Sequence, residues 1–441
     1  MSSLPLERAE RGAKHGDSQS FFALCQQNTD VMTLRLIKTL WRVVPVSLRN
    51  RFWIWFQSVS IARPDLQAAG ISPGAPVVVA GMFRTASGLG TWARSTYHAL
   101  KAAGYDVTAV DLSESLAMAD FDCGIPLESF PATRNGTLIL HVNGPETAYS
   151  LRKLGLRRGR RWRVIGAWAW ELSAFPPGWE KAFPFISEIW ALSEFTAGAF
   201  RRHNLAPPVR VLPISISAPQ DLAAAGSGEA PKPFTVLVMA DALSSFERKN
   251  PVGAIRAFRT AFGDRDDCRL IVKVRNLDLM PDEAVVLHAA IADAENIELI
   301  NESLDTEQQW ALISRADVFV SLHRAEGFGL GPAEAMSLGI PVVATAWSGN
   351  LYYMNAESAA LVPCTFVPVP EDCIHYSVAG AVWAEPHAAT ASQWLERLES
   401  DRELGRKFAT QAKSRVEEIC GAGRVRRLAT DFLQNVPAQR R

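Results

Sequence analysis

The hydrophobic positions of this chain fall into short apolar runs separated by longer segments with helical spacing. The runs predict strands at 75–80, 106–110, 137–142, 163–169, 188–192, 209–212, 234–240, 270–274, 296–300, 317–322 and 341–345. Helical patterns lie between them, for example at 91–103 and at 251–262, where Asn250 is placed to cap the helix and Pro251 is its first residue. This alternation predicts parallel sheets covered by helices on both faces.

One segment interrupts the alternation. Residues 219–233 are rich in alanine, glycine and proline, which is typical of a linker. We therefore predict an α/β protein with two Rossmann-like, doubly wound domains, residues 71–218 and 234–389, which face each other across a cleft. Residues 390–441 are charged and helical and are expected to pack across or outside the domains, and residues 1–70 form an N-terminal extension. Clefts of this kind are where ligands bind.

Composition narrows the class of protein. The chain has 441 residues, of which 48% are hydrophobic and 21% charged, as in ordinary globular proteins. Lysine plus arginine and aspartate plus glutamate number 46 each, so no overall charge favours a nucleic-acid partner. The six cysteines show no zinc-binding or disulfide spacing. No apolar run reaches the roughly 18 residues that span a bilayer, and the first residues are unlike a signal peptide. We expect a cytoplasmic protein.

A basic, aromatic segment lies in the N-terminal extension. Residues 31–64 contain six basic side chains, no acidic ones, and several tryptophans and phenylalanines. Such a helix can lie on an anionic membrane, which predicts a peripheral contact with the inner membrane. An amphipathic helix packed on the protein's own core explains the pattern equally well.

The sequence E-G-F-G-L-G-P-A-E, residues 326–334, is the most informative stretch of the chain. It follows a predicted strand and precedes a helix that is expected to open with Pro332 at its first position. Glu326 and Glu334 are therefore expected to point into one crevice at the carboxyl end of the sheet. Both carboxylates can accept hydrogen bonds from the hydroxyls of a polyol. The alternative is an ordinary loop in which Glu334 only complements the helix dipole.

Two further loops suggest anion binding. In S-S-F-E-R-K-N-P, residues 244–251, Arg248 and Lys249 precede a helix N-terminus, a combination that suits a diphosphate. An exposed basic turn paired with Glu247 is the alternative. Residues 152–163 carry seven further positive charges and no acid, which predicts a solvated loop or, less readily, a face toward an anionic lipid or acceptor.

The stretch G-L-G-T-W-A, residues 88–93, with Asp111 about twenty residues later, matches the dinucleotide fingerprint of dehydrogenases. Gly81 to Ser87 separate it from the strand, however, whereas the fingerprint begins directly after the strand. Gly88 and Gly90 are better interpreted as part of a longer loop whose backbone amides face the cleft. Close packing of a helix on a strand is an equally good explanation of each glycine.

Together these motifs resemble the family 4 retaining glycosyltransferases of the GT-B fold, especially bacterial mannosyl- and rhamnosyltransferases of polysaccharide synthesis. The resemblance spans roughly residues 75–385. Its other markers are L-H-V-N (140–143), W-A-W-E-L (168–172), S-E-F-T (193–196) and S-G-N (348–350). After Asn350 the chain departs from the usual family pattern, because Leu-Tyr-Tyr stands where related sequences more often carry an acidic residue.

The resemblance implies a role for each matching residue. Glu326 would contact donor-sugar hydroxyls and Glu334 the ribose, while Arg248 and Lys249 would neutralise the diphosphate. It assigns Gly88, Gly90, Gly327, Phe328, Gly329 and Leu330 to the donor site, His141 to catalysis, and Asn143 and Glu171 to the acceptor. No D-x-D motif stands in the expected place, so no metal or other cofactor is expected.

The function that follows is the retaining transfer of a hexose from a nucleotide diphosphate sugar to a glycan or lipid-linked acceptor. A sugar-nucleotide epimerase of similar fold is the main alternative. An NAD-dependent dehydrogenase and a non-catalytic glycan-binding protein are less favoured, the last because Arg248, Lys249, Glu326 and Glu334 are all present.

Overall fold

The computed structural model describes residues 75–116, 119, 121–156, 161–219, 221–222, 233–371, 373, 376 and 378–437. All of these residues belong to one unit of the chain, Ala62–Arg441. The basic aromatic segment at 31–64 and most of the linker at 219–233 lie outside the described residues.

The first sheet is built from the first six strands and is parallel throughout. The strands are β1 (Val77–Gly81), β2 (Val107–Asp111), β3 (Asn135–His141), β4 (Arg161–Trp168), β5 (Glu188–Ala191) and β6 (Val209–Val211), in the order β2-β1-β3-β4-β5-β6. The helices between them are α1 (Gly88–Ala102), α2 (Ser113–Leu116), α3 (Gly144–Lys153), a 3₁₀ segment (Trp179–Phe185) and α4 (Glu194–Arg201). The strand interiors are buried almost throughout, as expected of a sheet covered on both faces.

The second sheet repeats this architecture. Its strands are β7 (Phe234–Asp241), β8 (Cys268–Arg275), β9 (Ile297–Ile300), β10 (Val318–Ser321), β11 (Val342–Thr345) and β12 (Ala360–Val362), in the order β12-β11-β10-β7-β8-β9. The helices are α5 (Phe246–Lys249), α6 (Pro251–Phe262), α7 (Pro281–Ile291), α8 (Thr306–Ser314) and α9 (Leu330–Ser337), with 3₁₀ segments at Leu277–Leu279 and Gly349–Tyr352. The strand order reverses between β7 and β10, which creates a crevice at their carboxyl ends.

The end of the chain ties the two sheets together. After the antiparallel hairpin β13 (Cys364–Pro368) and β14 (Val382–Pro386), α10 (Ala388–Ser400) packs on α6, α11 (Arg402–Cys420) packs on α9, and α12 (Ala422–Gln434) packs on α1. The buried Arg163 of β4 donates to the carbonyl oxygen of Leu433 at 2.8 Å and also pairs with Glu188. The last helix therefore belongs to the first domain although the second domain precedes it in sequence.

These sheets confirm the predicted fold class, two doubly wound parallel α/β domains. The predicted strands are present with ends shifted by one or two residues. The helix expected to open at Pro332 begins at Leu330, because Gly329 adopts a left-handed conformation (φ 87°) that ends the loop earlier. The pattern did not predict β12 or the hairpin, since β12 has three residues and β13 is largely exposed.

Candidate active site

The reversal point of the second sheet brings the basic turn and the glycine loop together. The basic turn, residues 244–251, follows β7. The glycine loop, residues 326–334, follows β10, the strand paired with β7. Asn250 joins them: its side chain accepts from Gly253 N at 3.0 Å to cap α6 and donates to Leu322 O at 2.9 Å. Lys249 and Glu326, which are 77 positions apart in the sequence, are thus in direct contact.

Glu326 sits between the two cations of the basic turn. Its carboxylate oxygen Oε1 lies 2.5 Å from Lys249 Nζ and 3.3 Å from Arg248 Nη1, and only 6% of the residue is exposed. Burial by itself would raise the pKa of this carboxyl, but Lys249, Arg248 and His323 lower it to about 2. Glu326 is therefore ionised across the physiological pH range.

Arg248 is a fixed, buried cation. Its Nη1 donates to Ala325 O at 2.6 Å and its Nη2 to Ser244 O at 2.9 Å, while the Tyr376 ring lies 5.7 Å from its guanidinium carbon. Burial alone would lower the pKa of Arg248, yet Tyr376, Glu326 and the other nearby acidic groups raise it above its ordinary value. The positive charge is thus held in place by the backbone of the basic turn and of the residue just before Glu326. Lys249, whose side chain is 24% exposed, is the more accessible of the two cations.

Glu334 has a different environment although it belongs to the same motif. It lies in the first turns of α9, is 7% exposed, and accepts one hydrogen bond, from Gln309 Nε2 of α8 at 2.9 Å. Burial raises the pKa of Glu334 to about 8, and the neutral Gln309 offsets this only in part. In this structure Glu334 is mostly protonated at neutral pH.

The glycine loop contacts the first domain directly. The carbonyl oxygen of Gly327 accepts from Ser193 Oγ at 2.7 Å and lies 3.2 Å from Thr196 Oγ1. A Cβ at Gly327 would come within 3.0 Å of Trp170 O. Phe328 is buried against Tyr353, and Leu330 is half-buried at the start of α9. The S-E-F-T and W-A-W-E-L motifs of the first domain therefore hold this loop.

The Ser-Gly-Asn turn supports the loop from behind. Ser348 Oγ accepts from Glu326 N at 2.8 Å, and Gly349 N donates to Glu326 O at 2.8 Å. The fully buried Asn350 lies 3.1 Å from His323 Nε2, whose ring stands directly after β10. These backbone and side-chain contacts fix the position of the Glu326 carboxylate.

The two glycines of the first domain differ. A Cβ at Gly90 would lie 2.6 Å from the carbonyl oxygens of Met82 and Thr85, so close packing requires glycine there. Gly88 is exposed with no atom near its Cβ position, at the first residue of α1. Asp111, the acidic residue of the dinucleotide fingerprint, accepts from the hydroxyl of Ser113 at 2.6 Å and so has a structural partner within its own loop.

The remaining predicted site residues are Glu171, Asn143 and His141. Glu171 lies near the cations, because Tyr376 donates to its Oε2 at 3.3 Å and also covers Arg248. Asn143 accepts from Ala169 N at 2.9 Å, which joins the ends of β3 and β4. His141 is fully buried against Trp92, and burial lowers its pKa to about 3. Neither ring nitrogen of His141 has a hydrogen-bond partner among the described residues.

Sequence reasoning did not identify Tyr376, Gln309 or His323 as site residues. His323 lies three positions before Glu326, so its closeness to the motif was a usable signal. Within the described part of the chain, no group of three or more His, Cys, Asp or Glu side chains is placed to hold a metal ion. No helix there is both long and apolar enough to cross a membrane.

The fold is similar to solved structures of low sequence identity. HepE from Anabaena in complex with UDP and glucose is 13% identical, with a TM-score of 0.58 over 81% of this chain and 99% of that one. Sucrose-phosphate synthase from Thermosynechococcus elongatus is 15% identical (TM-score 0.55; 81% and 98% covered). A glycosyltransferase from Rickettsia africae is 13% identical (TM-score 0.55; 82% and 98% covered). These similarities establish the two-domain GT-B fold.

A sequence comparison supplies the family. No curated protein matches the chain. The model of the family described as "Family 4 Glycosyltransferase in conflict systems" matches residues 191–416, which include the basic turn, the glycine loop and the Ser-Gly-Asn turn. This match covers just over half of the chain, so the chain belongs to that family of glycosyltransferases.

Proposed function

We propose that this glycosyltransferase moves a hexose, mannose- or rhamnose-like, from a nucleotide diphosphate sugar to a glycan or lipid-linked acceptor, with retention of configuration and without a divalent ion. The observation that carries the proposal is the convergence of Arg248 and Lys249 on Glu326 where the second sheet reverses its strand order. The donor class is further supported by HepE, a similar fold solved with UDP and glucose. Retention, hexose type and a role in polysaccharide synthesis rest on the sequence resemblance.

The cations act on the leaving group. In the described structure Lys249 is paired with Glu326, and it is the more exposed of the two cations. A bound diphosphate competes for the Lys249 ammonium, while Arg248 stays in place because the carbonyl groups of Ser244 and Ala325 hold it. As the bond between the sugar carbon and the phosphate oxygen breaks, the diphosphate gains negative charge. Fixed positive charges at that position lower the barrier more than they strengthen ground-state binding.

The two carboxylates then divide the donor between them. Once Lys249 turns toward the phosphates, Glu326 is free to accept hydrogen bonds from the hydroxyls of the sugar. Glu334, whose one partner among the described residues is Gln309, accepts from the ribose hydroxyls. Glu326 is not the nucleophile in this scheme, because Arg248 stays next to its carboxylate, and the low pKa of Glu326 makes it a weak base.

The acceptor hydroxyl attacks from the face that the diphosphate leaves. The new bond joins the acceptor oxygen to the sugar carbon, the old phosphate–sugar bond breaks, and the acceptor proton passes to a phosphate oxygen. Glu171, next to Tyr376 and Arg248 at the cleft, orients the acceptor hydroxyl. Rate enhancement in this scheme comes from orientation and leaving-group stabilisation.

Two carboxylate variants test the assignment. Glu334→Gln should weaken the binding of UDP or GDP, measured by isothermal titration, whereas Glu326→Gln should chiefly slow transfer, measured as nucleotide diphosphate released in the presence of acceptor. Glu357→Gln is the matched control, because Glu357 is exposed and lies outside the basic turn and the glycine loop. Wild-type behaviour of both active-site variants would overturn the assignment.

The wild-type protein provides the test of the activity itself. Nucleotide diphosphate should be released from the donor only when acceptor is added, whereas acceptor-independent release would favour an epimerase. Thermal stabilisation by UDP or GDP and none by NAD is expected. Stabilisation by NAD alone would overturn the proposal in favour of a dehydrogenase.

A further inference from the structure

A further buried cation of the donor domain, Lys273, has no partner among the described residues. Lys273, on β8, is 6% exposed, and among the described residues none forms a hydrogen bond or ion pair with its ammonium. In the sheet it stands between Met239 of β7 and Ile300 of β9, two apolar side chains. An ammonium group carries three donors, and leaving them unused in a largely buried position is unfavourable.

Lys273 lies on the same face of the sheet as the Glu334 pocket. Side chains alternate along a strand, so Lys273 shares its face with Ile271. Ile271 packs in the same core cluster as Trp310 of α8 and Ala333 of α9. These two helices carry Gln309 and Glu334. Lys273 therefore lies on the sheet face that α8 and α9 cover, two residues before the carboxyl end of β8.

The nearest carboxylate is already occupied. Asp241, at the end of β7, pairs with Arg275 and accepts from Asn276 Nδ2 at 2.8 Å and from Leu243 N at 3.1 Å. Burial and the charge of Arg275 lower the pKa of Lys273 to about 8, and Asp241 compensates only in part. Within the described part of the chain, no carboxylate is thus paired with the Lys273 ammonium.

We infer that Lys273 recognises the base of the donor nucleotide by donating a hydrogen bond to a carbonyl oxygen of the base. The inference rests on the proposed function. Along the carboxyl edge of the sheet, Arg248 and Lys249 follow β7, and Glu326 follows the neighbouring strand β10. Strand β8 lies on the other side of β7. A nucleotide with its diphosphate at Arg248 and its ribose at Glu334 has only its base left to reach β8. Since ammonium only donates, it favours uracil, guanine, thymine or cytosine, which have carbonyl oxygens, over adenine, which has none.

The test compares nucleotide diphosphates by isothermal titration with wild type and Lys273→Met. Wild type should bind UDP or GDP roughly tenfold or more tightly than ADP, because adenine offers the buried donor no carbonyl oxygen and carries an amino group where guanine carries one. Lys273→Met should lose most of this preference without losing affinity for pyrophosphate. Its melting temperature without ligand should not fall, since the substitution removes an unpaired buried charge. Lys273→Gln, which keeps neutral donors, should retain part of the preference.

Several results would overturn the inference. An unchanged base preference in Lys273→Met would show that Lys273 does not contact the base. Equal weakening of UDP, ADP and pyrophosphate would place its contact on the phosphates. The same test in Lys413→Met, a variant of an exposed lysine, should give wild-type affinities. Binding of no nucleotide diphosphate by wild type would instead contradict the proposed function itself.

Discussion

Glu326 and Glu334 enclose the same glycine loop and are almost equally buried, yet their environments are opposite. Glu326 contacts two cations that approach from β7, and its pKa is lowered to about 2. Among the described residues Glu334 has a single partner, the neutral Gln309 of α8, and its pKa is raised to about 8. Burial acts in the same direction on both carboxyls, so the difference comes from the neighbouring elements alone.

This difference assigns separate chemistry to the two ends of the loop. A carboxylate that is always ionised and paired with cations suits the reacting end, where charge develops. A carboxyl that is mostly protonated and has one partner among the described residues suits hydroxyl recognition in the proposed function, where the ribose would supply further hydrogen bonds. The motif supplies two identical side chains, and distant parts of the sequence determine what each of them does.

The largest effect is expected from removing the cation that distinguishes the two carboxyls. Lys249→Met should lower kcat about 100-fold or more, because it removes a positive charge next to the leaving group. It should also raise the pKa of Glu326 toward its ordinary value, since one of the two paired cations is lost. Steady-state kinetics with donor and acceptor measures the first effect.

Lys413→Met is the matched control for this variant, because it removes the same charge from an exposed position in α11. It should leave kcat unchanged. A Lys249→Met enzyme with wild-type kcat would show that the pairing with Glu326 is only structural.

The two carboxyls should also give opposite pH dependences of stability. The folded-state pKa of Glu334 lies above the ordinary value of 4.5, so between about 4.5 and 8 the unfolded chain loses the proton first. The free energy of unfolding should therefore fall as the pH rises through that window, by an amount on the order of a few kcal/mol. Glu334→Gln should abolish this decrease. Glu326 stabilises the fold above 4.5, and its contribution is lost as the pH falls toward 2.

Scanning calorimetry of wild type, Glu334→Gln and Glu326→Gln across this pH range checks the prediction. As the pH rises from 5 to 8, the melting temperature of Glu334→Gln should increase relative to that of wild type. The Glu326→Gln protein should have a lower melting temperature than wild type at neutral pH, and this difference should shrink in acid. Parallel curves for all three proteins would contradict the contrast between the two environments.

Much of this arrangement could be predicted from the sequence. Apolar runs alternating with helical segments predicted the parallel sheets, and Asn250 with Pro251 marked the start of α6, which begins there. The family resemblance assigned the basic turn and the glycine loop to the same site, the one that binds the donor. Arg248, Lys249 and Glu326 are in contact there.

The remainder depends on packing over long distances in the sequence. Tyr376 reaches Glu171 across 205 residues from the hairpin, which carries no strong apolar signal because β13 is largely exposed. Gln309 approaches Glu334 from a neighbouring helix. Lys273 appeared in the sequence only as a polar interruption of an apolar strand. No local pattern predicts which partner a buried polar side chain will meet or lack.

The smallest effect is expected where the loop meets the first domain, close to Glu326 and away from Glu334. In Gly327→Ala the new Cβ would lie 3.0 Å from Trp170 O, so the two domains must separate locally by a few tenths of an ångström. Destabilisation of about 1 kcal/mol is expected. Because the strain falls next to Glu326, kcat should decrease several-fold while nucleotide affinity, which depends on Glu334, stays near wild type. Gly405→Ala is the control, since its Cβ meets no atom and it lies within α11, outside the predicted site. A Gly327→Ala enzyme that loses nucleotide affinity but keeps kcat would reverse the division of labour between the two carboxyls.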